Sequence, residues 1–149
     1  MPAYQMIIST GKGPQILTPK GTLIAPDLFV INGNKCFWIE AKHKDAFSWH
    51  RITEKWVTGI DKKHYEHYCK LDEISHWDVW LYFLQRGLAA IDSPTANTPS
   101  GLYCNPIKEL KHRVNHTHDA HGKYGMVYWA ESAFTRIAEY EDLCPASAP

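Results

Sequence analysis

The sequence predicts an α/β fold, a mixed central β-sheet with helices packed against it. Three observations carry this expectation. First, Asn32-Gly33, the strongest hairpin signal in the chain, separates two apolar runs, TLIAPDLFVI (22–31) and CFWIEAK (36–42). Second, between Gly59 and about Ile74, residues Ile60, His64, Tyr68 and Leu71 recur at i, i+4, i+8 and i+11. Lys62, Lys63, Glu66 and Lys70 face elsewhere, which is the pattern of an amphipathic helix. Third, two more runs of strand-forming residues follow, HWDVWLYFLQRG (76–87) and YGMVYW (124–129). The order strand, strand, helix, strand, strand, helix belongs to an α/β sheet.

The remaining elements follow in order. YQMIIST (4–10) reads as a short strand, after which Gly11, Gly13, Pro14, Pro19 and Gly21 break the chain repeatedly. The stretch from 43 to 58 reads as a polar, aromatic-rich connection with a short helix inside it, and Thr58 is placed to cap the helix that follows. SPTANTPSG (93–101) is a loop by composition, and a helix is expected near 131–142. The tail EYEDLCPASAP is acidic, then rich in Pro and Ala; Glu139, Glu141 and Asp142 read as a solvated face, with fraying from about 143 to 149.

Composition limits the function classes. A chain of 149 residues matches one domain, 1–149, large enough to bury a real core. Sixteen Lys and Arg balance sixteen Asp and Glu, so a nucleic-acid partner must be attracted by local charge. Cys36, Cys69, Cys104 and Cys144 form no CxxC pair, and neither a signal peptide nor a long apolar run is present. The expectation is a soluble cytoplasmic protein with reduced thiols and no membrane partner. HRVNHTHDAH (112–121) holds His112, His116, His118 and His121; without a cysteine pair or finger spacing it reads as a polar loop, with a zinc-stabilised module as the competing reading.

The hairpin poses a chemical problem, because Asp27, Glu40 and Lys42 sit among core-forming residues. A turn at Asn32-Gly33 sets Asp27 opposite Trp38, and a turn at Gly33-Asn34 sets it opposite Glu40. In either register Asp27 shares a face with Glu40 and Lys42, with Cβ separations of roughly 4.5 to 8 Å. Two carboxylates at that separation repel unless a cation lies between them. A hard divalent ion such as Mg²⁺ suits such a pair, and Mg²⁺ held by carboxylates, waters and phosphate points to phosphodiester chemistry. The alternative is a plain salt bridge of Lys42 with Glu40 or Asp27. Just downstream, Lys44, Trp49, His50, Arg51, Lys55 and Trp56 set cations beside aromatics, either a nucleic-acid surface or a loop anchored by buried tryptophans.

Pro26-Asp27, a hydrophobic hairpin, and Glu40-Ala41-Lys42 ending a strand together resemble the signature of the PD-(D/E)XK nuclease superfamily. That superfamily includes restriction enzymes, Holliday junction resolvases and phage nucleases. The resemblance covers about residues 22–84 and implies a restriction-endonuclease-like core. It further implies a metal-dependent endodeoxyribonuclease that cuts DNA by water attack, with branched or junction DNA as substrate and a homodimer as the active form. Asp27, Glu40 and the carbonyl of Ala41 would hold Mg²⁺ or Mn²⁺, and Lys42 would orient or deprotonate the water; lysine suits this because its pKa shifts readily. Some members add a Gln and a Tyr on the next helix; here His64 and Tyr68 lie one turn apart and the Gln is absent. Lys44, Trp49, Arg51 and Lys55 would meet DNA. Family cores also begin with a helix bearing a glutamate, yet no Asp or Glu precedes Asp27. Water or another segment would then replace that ligand, or the chain is an impaired member that binds nucleic acid or a protein without cutting.

Overall fold

The structure, a computed structural model, describes residues 5–9 and 13–146. Strands β1 (Gln5–Ser9), β2 (Gly13–Thr18) and β3 (Gly21–Ile24) form an antiparallel sheet where the family pattern would have a helix. The run 22–31 is therefore two strands. Pro26 lacks an N–H and breaks it, and β4 (Leu28–Asn32) belongs to another sheet. β4 pairs antiparallel with β5 (Lys35–Lys44) from Asn32↔Lys35 to Leu28↔Ile39, so Gly33-Asn34 is the turn. Gly33 takes φ +59°, the conformation such a turn requires.

Next, the segment expected to be a connection holding a short helix is a hairpin of β6 (Ser48–His50) and β7 (Lys55–Asp61). Trp49 and Trp56 face each other across it with ring centroids 4.9 Å apart, a cross-strand aromatic pair. Helix α1 (Lys62–Ile74) begins three residues later than the periodicity predicts, because 59–61 are still strand. A Cβ at Gly59 would lie 2.3 Å from the Val127 carbonyl oxygen, so only glycine lets β7 approach its neighbour here. β8 (Val79–Gln85) follows and runs parallel to β5, from Trp38↔Val79 to Lys44↔Gln85.

β9 (Gly101–Pro106) pairs antiparallel with β8 along its whole length, although its Gly, Asn and Pro give it the composition of a loop. After the one-turn helix α2 (Ile107–Leu110), the histidine-rich stretch contains β10 (Val114–His118) rather than a loop. β11 (Met126–Ala130) completes the predicted fourth run. The helix expected near 131–142 is absent: a 3₁₀ turn (Glu131–Ala133), β12 (Thr135–Ala138) and one-turn α3 (Tyr140–Leu143) stand in its place. Thr135 and Arg136 pair with Cys104 and Tyr103, and the ladder outweighs local helix propensity. Of the tail, 147–149 lie outside the described residues.

The central sheet has the order β12-β9-β8-β5-β4 and is mixed, as expected. A second sheet, β10-β11-β7-β6, and helix α1 cover one of its faces, and the core lies between. Trp129, Phe47, Phe83, Leu81 and Val79 are fully buried there. The face of β8 that carries Leu81, Phe83 and Gln85 also carries Glu40, Lys42 and Lys44 of β5, because directly paired residues share a face. The charged residues of the hairpin thus point toward the core layer. On the other face, Tyr140 of α3 stacks on His43.

A polar contact ties α1 to β3. The Ile24 N–H donates to His67 Nδ1 at 2.8 Å, so neutral His67 carries its proton on Nε2. Burial, followed by the charges of Lys63 and Lys70, pulls the His67 pKa below its ordinary 6.5. The folded state thus binds fewer protons than the unfolded state near this pH. The stability this contributes is present above about pH 6.5 and is lost as pH falls through the folded-state value.

Two outcomes follow from this packing. Gly59→Ala should cost about 1 to 3 kcal/mol through overpacking against Val127, seen as a lower urea midpoint with an unchanged m-value. Thermal melting between pH 7.5 and pH 5 should show stability falling with acid, and His67→Leu should flatten that slope while lowering the melting temperature at neutral pH. An equally steep slope in the variant would assign the effect to other groups.

Candidate functional site

The register of the hairpin decides the site. Extending the ladder from Leu28↔Ile39 by one residue sets Asp27 directly opposite Glu40. Asp27 is exposed, and its Oδ2 accepts a hydrogen bond from the Ala41 N–H at 2.9 Å. Glu40 is only 3% exposed. Its Oε1 lies 2.5 Å from Lys42 Nζ, and its Oε2 accepts from the Tyr68 hydroxyl at 2.7 Å. The salt bridge weighed as the alternative is thus present. An unpaired carboxylate so deeply buried would cost several kcal/mol, and these two partners offset that cost.

Tyr68 is 1% exposed and lies in the stripe that α1 turns inward. Burial, with the negative charges of Glu40, Asp27 and Asp61, pushes its pKa far above the ordinary tyrosine value. It therefore acts as a hydrogen-bond donor across the whole working pH range. His64, one turn earlier, is half-buried with its ring 5.9 Å from that of Tyr68. Its Nδ1 is buried without a hydrogen-bond partner among the described residues. Glu40, Lys42, Tyr68 and His64 are brought together, with Asp27 at the rim.

The downstream residues expected to meet DNA are dispersed. Lys44 is drawn in on the face of Lys42; burial, then the Lys42 charge, lowers its pKa while Asp61 opposes the shift. Trp49 packs on Trp56, and Arg51 pairs with Asp92 at 2.5 Å. Lys55 is exposed and makes no ion pair among the described residues.

Asp61 escaped the sequence reading. It stands at the N-cap position of α1 yet makes no capping hydrogen bond, so its carboxylate is directed elsewhere. Its charge acts on both Tyr68 and Lys44, which makes it a carboxylate from a later segment in the field of the site. The one signal in the sequence was an aspartate at the strand-to-helix junction. Among the described residues, no three or more His, Cys, Asp and Glu side chains are grouped so as to hold a metal ion.

The histidine-rich stretch forms a stack with its neighbours. The rings of His50 and His116 are parallel at 3.8 Å, His116 lies on Tyr128 at 4.6 Å, and His118 lies on His121 at 3.6 Å. His112 takes no part and is exposed.

No protein-family model matches the sequence, and no curated protein is similar to it. Among solved structures, the chain is similar to Hjc, a Holliday junction resolvase from the archaeal hyperthermophile Archaeoglobus fulgidus. Identity is 9%, the match covers 98% of this chain and 85% of that chain, and the TM-score is 0.41. The likeness is remote. Among the described residues, no helix is long and apolar enough to cross a membrane.

The Tyr68 hydroxyl can be tested by itself. Tyr68→Phe should destabilise the protein by about 1 to 3 kcal/mol, because Glu40 Oε2 is left buried without its donor. Combining it with Glu40→Gln should give a double-mutant coupling of about 0.5 to 3 kcal/mol in urea unfolding. Additive effects would show that the contact carries no energy.

Proposed function

We propose that the chain is a divalent-metal-dependent endodeoxyribonuclease of the PD-(D/E)XK type. The single observation that carries this reading is the placement of Asp27 opposite Glu40 at the mouth of the hairpin, with Lys42 two residues further along the same face. The donor set fits a hard cation. It is made of oxygens, one or two carboxylates suffice for Mg²⁺ when waters and phosphate complete the shell, and Glu40 already draws a positive charge to 2.5 Å. Asp27, Glu40 and the Ala41 carbonyl would hold Mg²⁺ or Mn²⁺, which when bound supplies Lewis-acid stabilisation of charge developing at the phosphate.

This chain's own residues do the rest. Lys42, one-third exposed, reaches from the buried carboxylate toward solvent, where Nζ orients the attacking water. Tyr68 is a positioning residue that fixes the Glu40 carboxylate in one orientation. The half-buried His64 ring stands beside it, where a ring nitrogen could meet a phosphate oxygen. DNA is the proposed substrate, branched or junction DNA in particular, with two copies of the chain pairing to cut two strands. Lys55 is the first contact; Arg51 would exchange Asp92 for a phosphate, while Lys44 and Trp49 border the strand.

A second reading has its own support. Both oxygens of Glu40 are engaged by Lys42 and Tyr68, and no three-residue metal group occurs among the described residues. On that reading the chain is an impaired member that binds nucleic acid or a protein without cutting it.

One set of experiments separates the two. Linear duplex, single-stranded, flap and four-way-junction DNA, each with Mg²⁺, Mn²⁺ or EDTA, should show metal-dependent cleavage by the parent protein. Asp27→Asn and Glu40→Gln should weaken Mn²⁺ binding in calorimetry at least 10-fold and abolish cleavage with the fold retained. Lys42→Ala should keep Mn²⁺ binding and lose cleavage. No divalent-ion binding by the parent protein, even with DNA present, would leave the binding-only reading standing.

A further inference from the structure

At the end of β7 away from Asp61 lies a second polar site. A pocket of about 340 Å³ is lined by Lys55, Arg113, Val114, Asn115, Ala130, Ser132 and Ala133. Six residue steps of β7 separate Lys55 from Asp61, roughly 20 Å of strand, so this pocket is no part of the carboxylate centre. Its two cations share one cavity, and neither has an ion pair among the described residues. The nearest carboxylate in sequence to Ser132, that of Glu131, accepts instead from the Tyr103 hydroxyl at 3.0 Å.

The neutral side of the pocket is held in place. The β10–β11 ladder shifts register between Val114 and His116, and such a bulge re-aims the side chain of the extra residue, here Asn115. Asn115 Nδ2 donates to Thr53 Oγ1 at 3.3 Å, and its Oδ1 accepts from His116 Nδ1 at 2.7 Å. Thr53 Oγ1 in turn lies 2.7 Å from His50 Nδ1, and the His50 and His116 rings are stacked. Three hydrogen bonds and one ring stack thus fix one wall beside two cations that make no ion pair among the described residues.

We propose that this pocket is a phosphate-binding site, taking a phosphomonoester or a phosphodiester through Lys55, Arg113, Asn115 and Ser132. Arginine suits a tetrahedral oxyanion because its planar fork donates two parallel hydrogen bonds, and lysine adds a compact point charge. The amide of Asn115 and the hydroxyl of Ser132 supply neutral donors for the remaining oxygens. The volume, at the low end for small-molecule sites, admits a phosphate with the sugar that bears it. The repulsion of two neighbouring cations is relieved when the anion enters. The site stands whether or not the hairpin centre cuts DNA.

The test is a titration of the ¹⁵N-labelled full chain with three probes: inorganic phosphate, adenosine 5′-monophosphate, and an eight-nucleotide single strand without terminal phosphates. Saturable shifts at the amides of Asn115 and Ser132 are expected. Lys55→Gln combined with Arg113→Gln should weaken binding at least 10-fold. Lys20→Gln combined with Lys70→Gln removes the same net charge elsewhere and should change it less than 2-fold. Tighter binding of the single strand assigns the site to phosphodiesters, and tighter binding of either of the other probes assigns it to monoesters. No saturable shift with any probe, or equal weakening by the two variant pairs, overturns the proposal. The shifts are read in the absence of divalent metal at the amides of Asn115 and Ser132, which keeps this outcome distinct from that of the cleavage assays.

Discussion

Burying the Glu40 carboxylate constrains the rest of the structure. A charged oxygen pair in the core layer is tolerated only if each oxygen has a partner, and the two partners come from different places. Lys42 is supplied by the alternation of the same strand, whereas Tyr68 is supplied by a helix that must dock at the right height and rotation. Register and docking are therefore coupled. A rotation of α1 by one position would separate the carboxylate from Tyr68, and a slip of one residue between β5 and β8 would turn Glu40 to the other face. The same contacts that make the site chemically interesting also discriminate against wrong packings.

The two sheets meet through a similar economy of polar groups. Gln85 is fully buried and donates to Thr58 Oγ1 at 3.2 Å, joining the last rung of the parallel β5–β8 ladder to the middle of β7. Gln85 Oε1 has no partner among the described residues. Around this bond the contacts are apolar and aromatic, with Phe47 against Tyr103 and Phe83 against Phe134. Tyr103 also donates to Glu131, and burial followed by that charge pushes its pKa up to about 12. Buried polar side chains are few, and each of these hydrogen bonds pins two elements in a defined relation.

The two sites use opposite electrostatics. At the hairpin, negative charge is held close and answered by a lysine. At the far end of β7, positive charge stands beside neutral donors without an answering carboxylate in the lining. Overall neutrality thus conceals a molecule whose surface is locally polarised, and recognition by such a chain depends on short-range complementarity rather than on long-range attraction.

How much of this was legible depended on whether the cause was local. The hairpin, the shared face of Asp27, Glu40 and Lys42, and the inward stripe of α1 follow from turn chemistry and side-chain periodicity, which act over neighbouring residues and are written in the sequence. The choice of Gly33-Asn34 over Asn32-Gly33 as the turn belonged to the ladder, since both turns satisfy local preference. β9 and β12 were hidden because strands of weak propensity form when a partner strand offers a full set of hydrogen bonds. The hairpin of β6 and β7 was likewise obscured by charges that lie on its exposed side. Asp61 was marked only by its place at the strand-to-helix junction, and Arg113 not at all, for their significance lies in what a distant segment places beside them. The sequence by itself determined that Asp27, Glu40 and Lys42 of the hairpin stand on one face, because alternation along a strand is a covalent fact. Only the tertiary structure decided what each charge meets, because a buried carboxylate or an unpaired cation is defined by the low-dielectric surroundings and partners that distant segments bring to it.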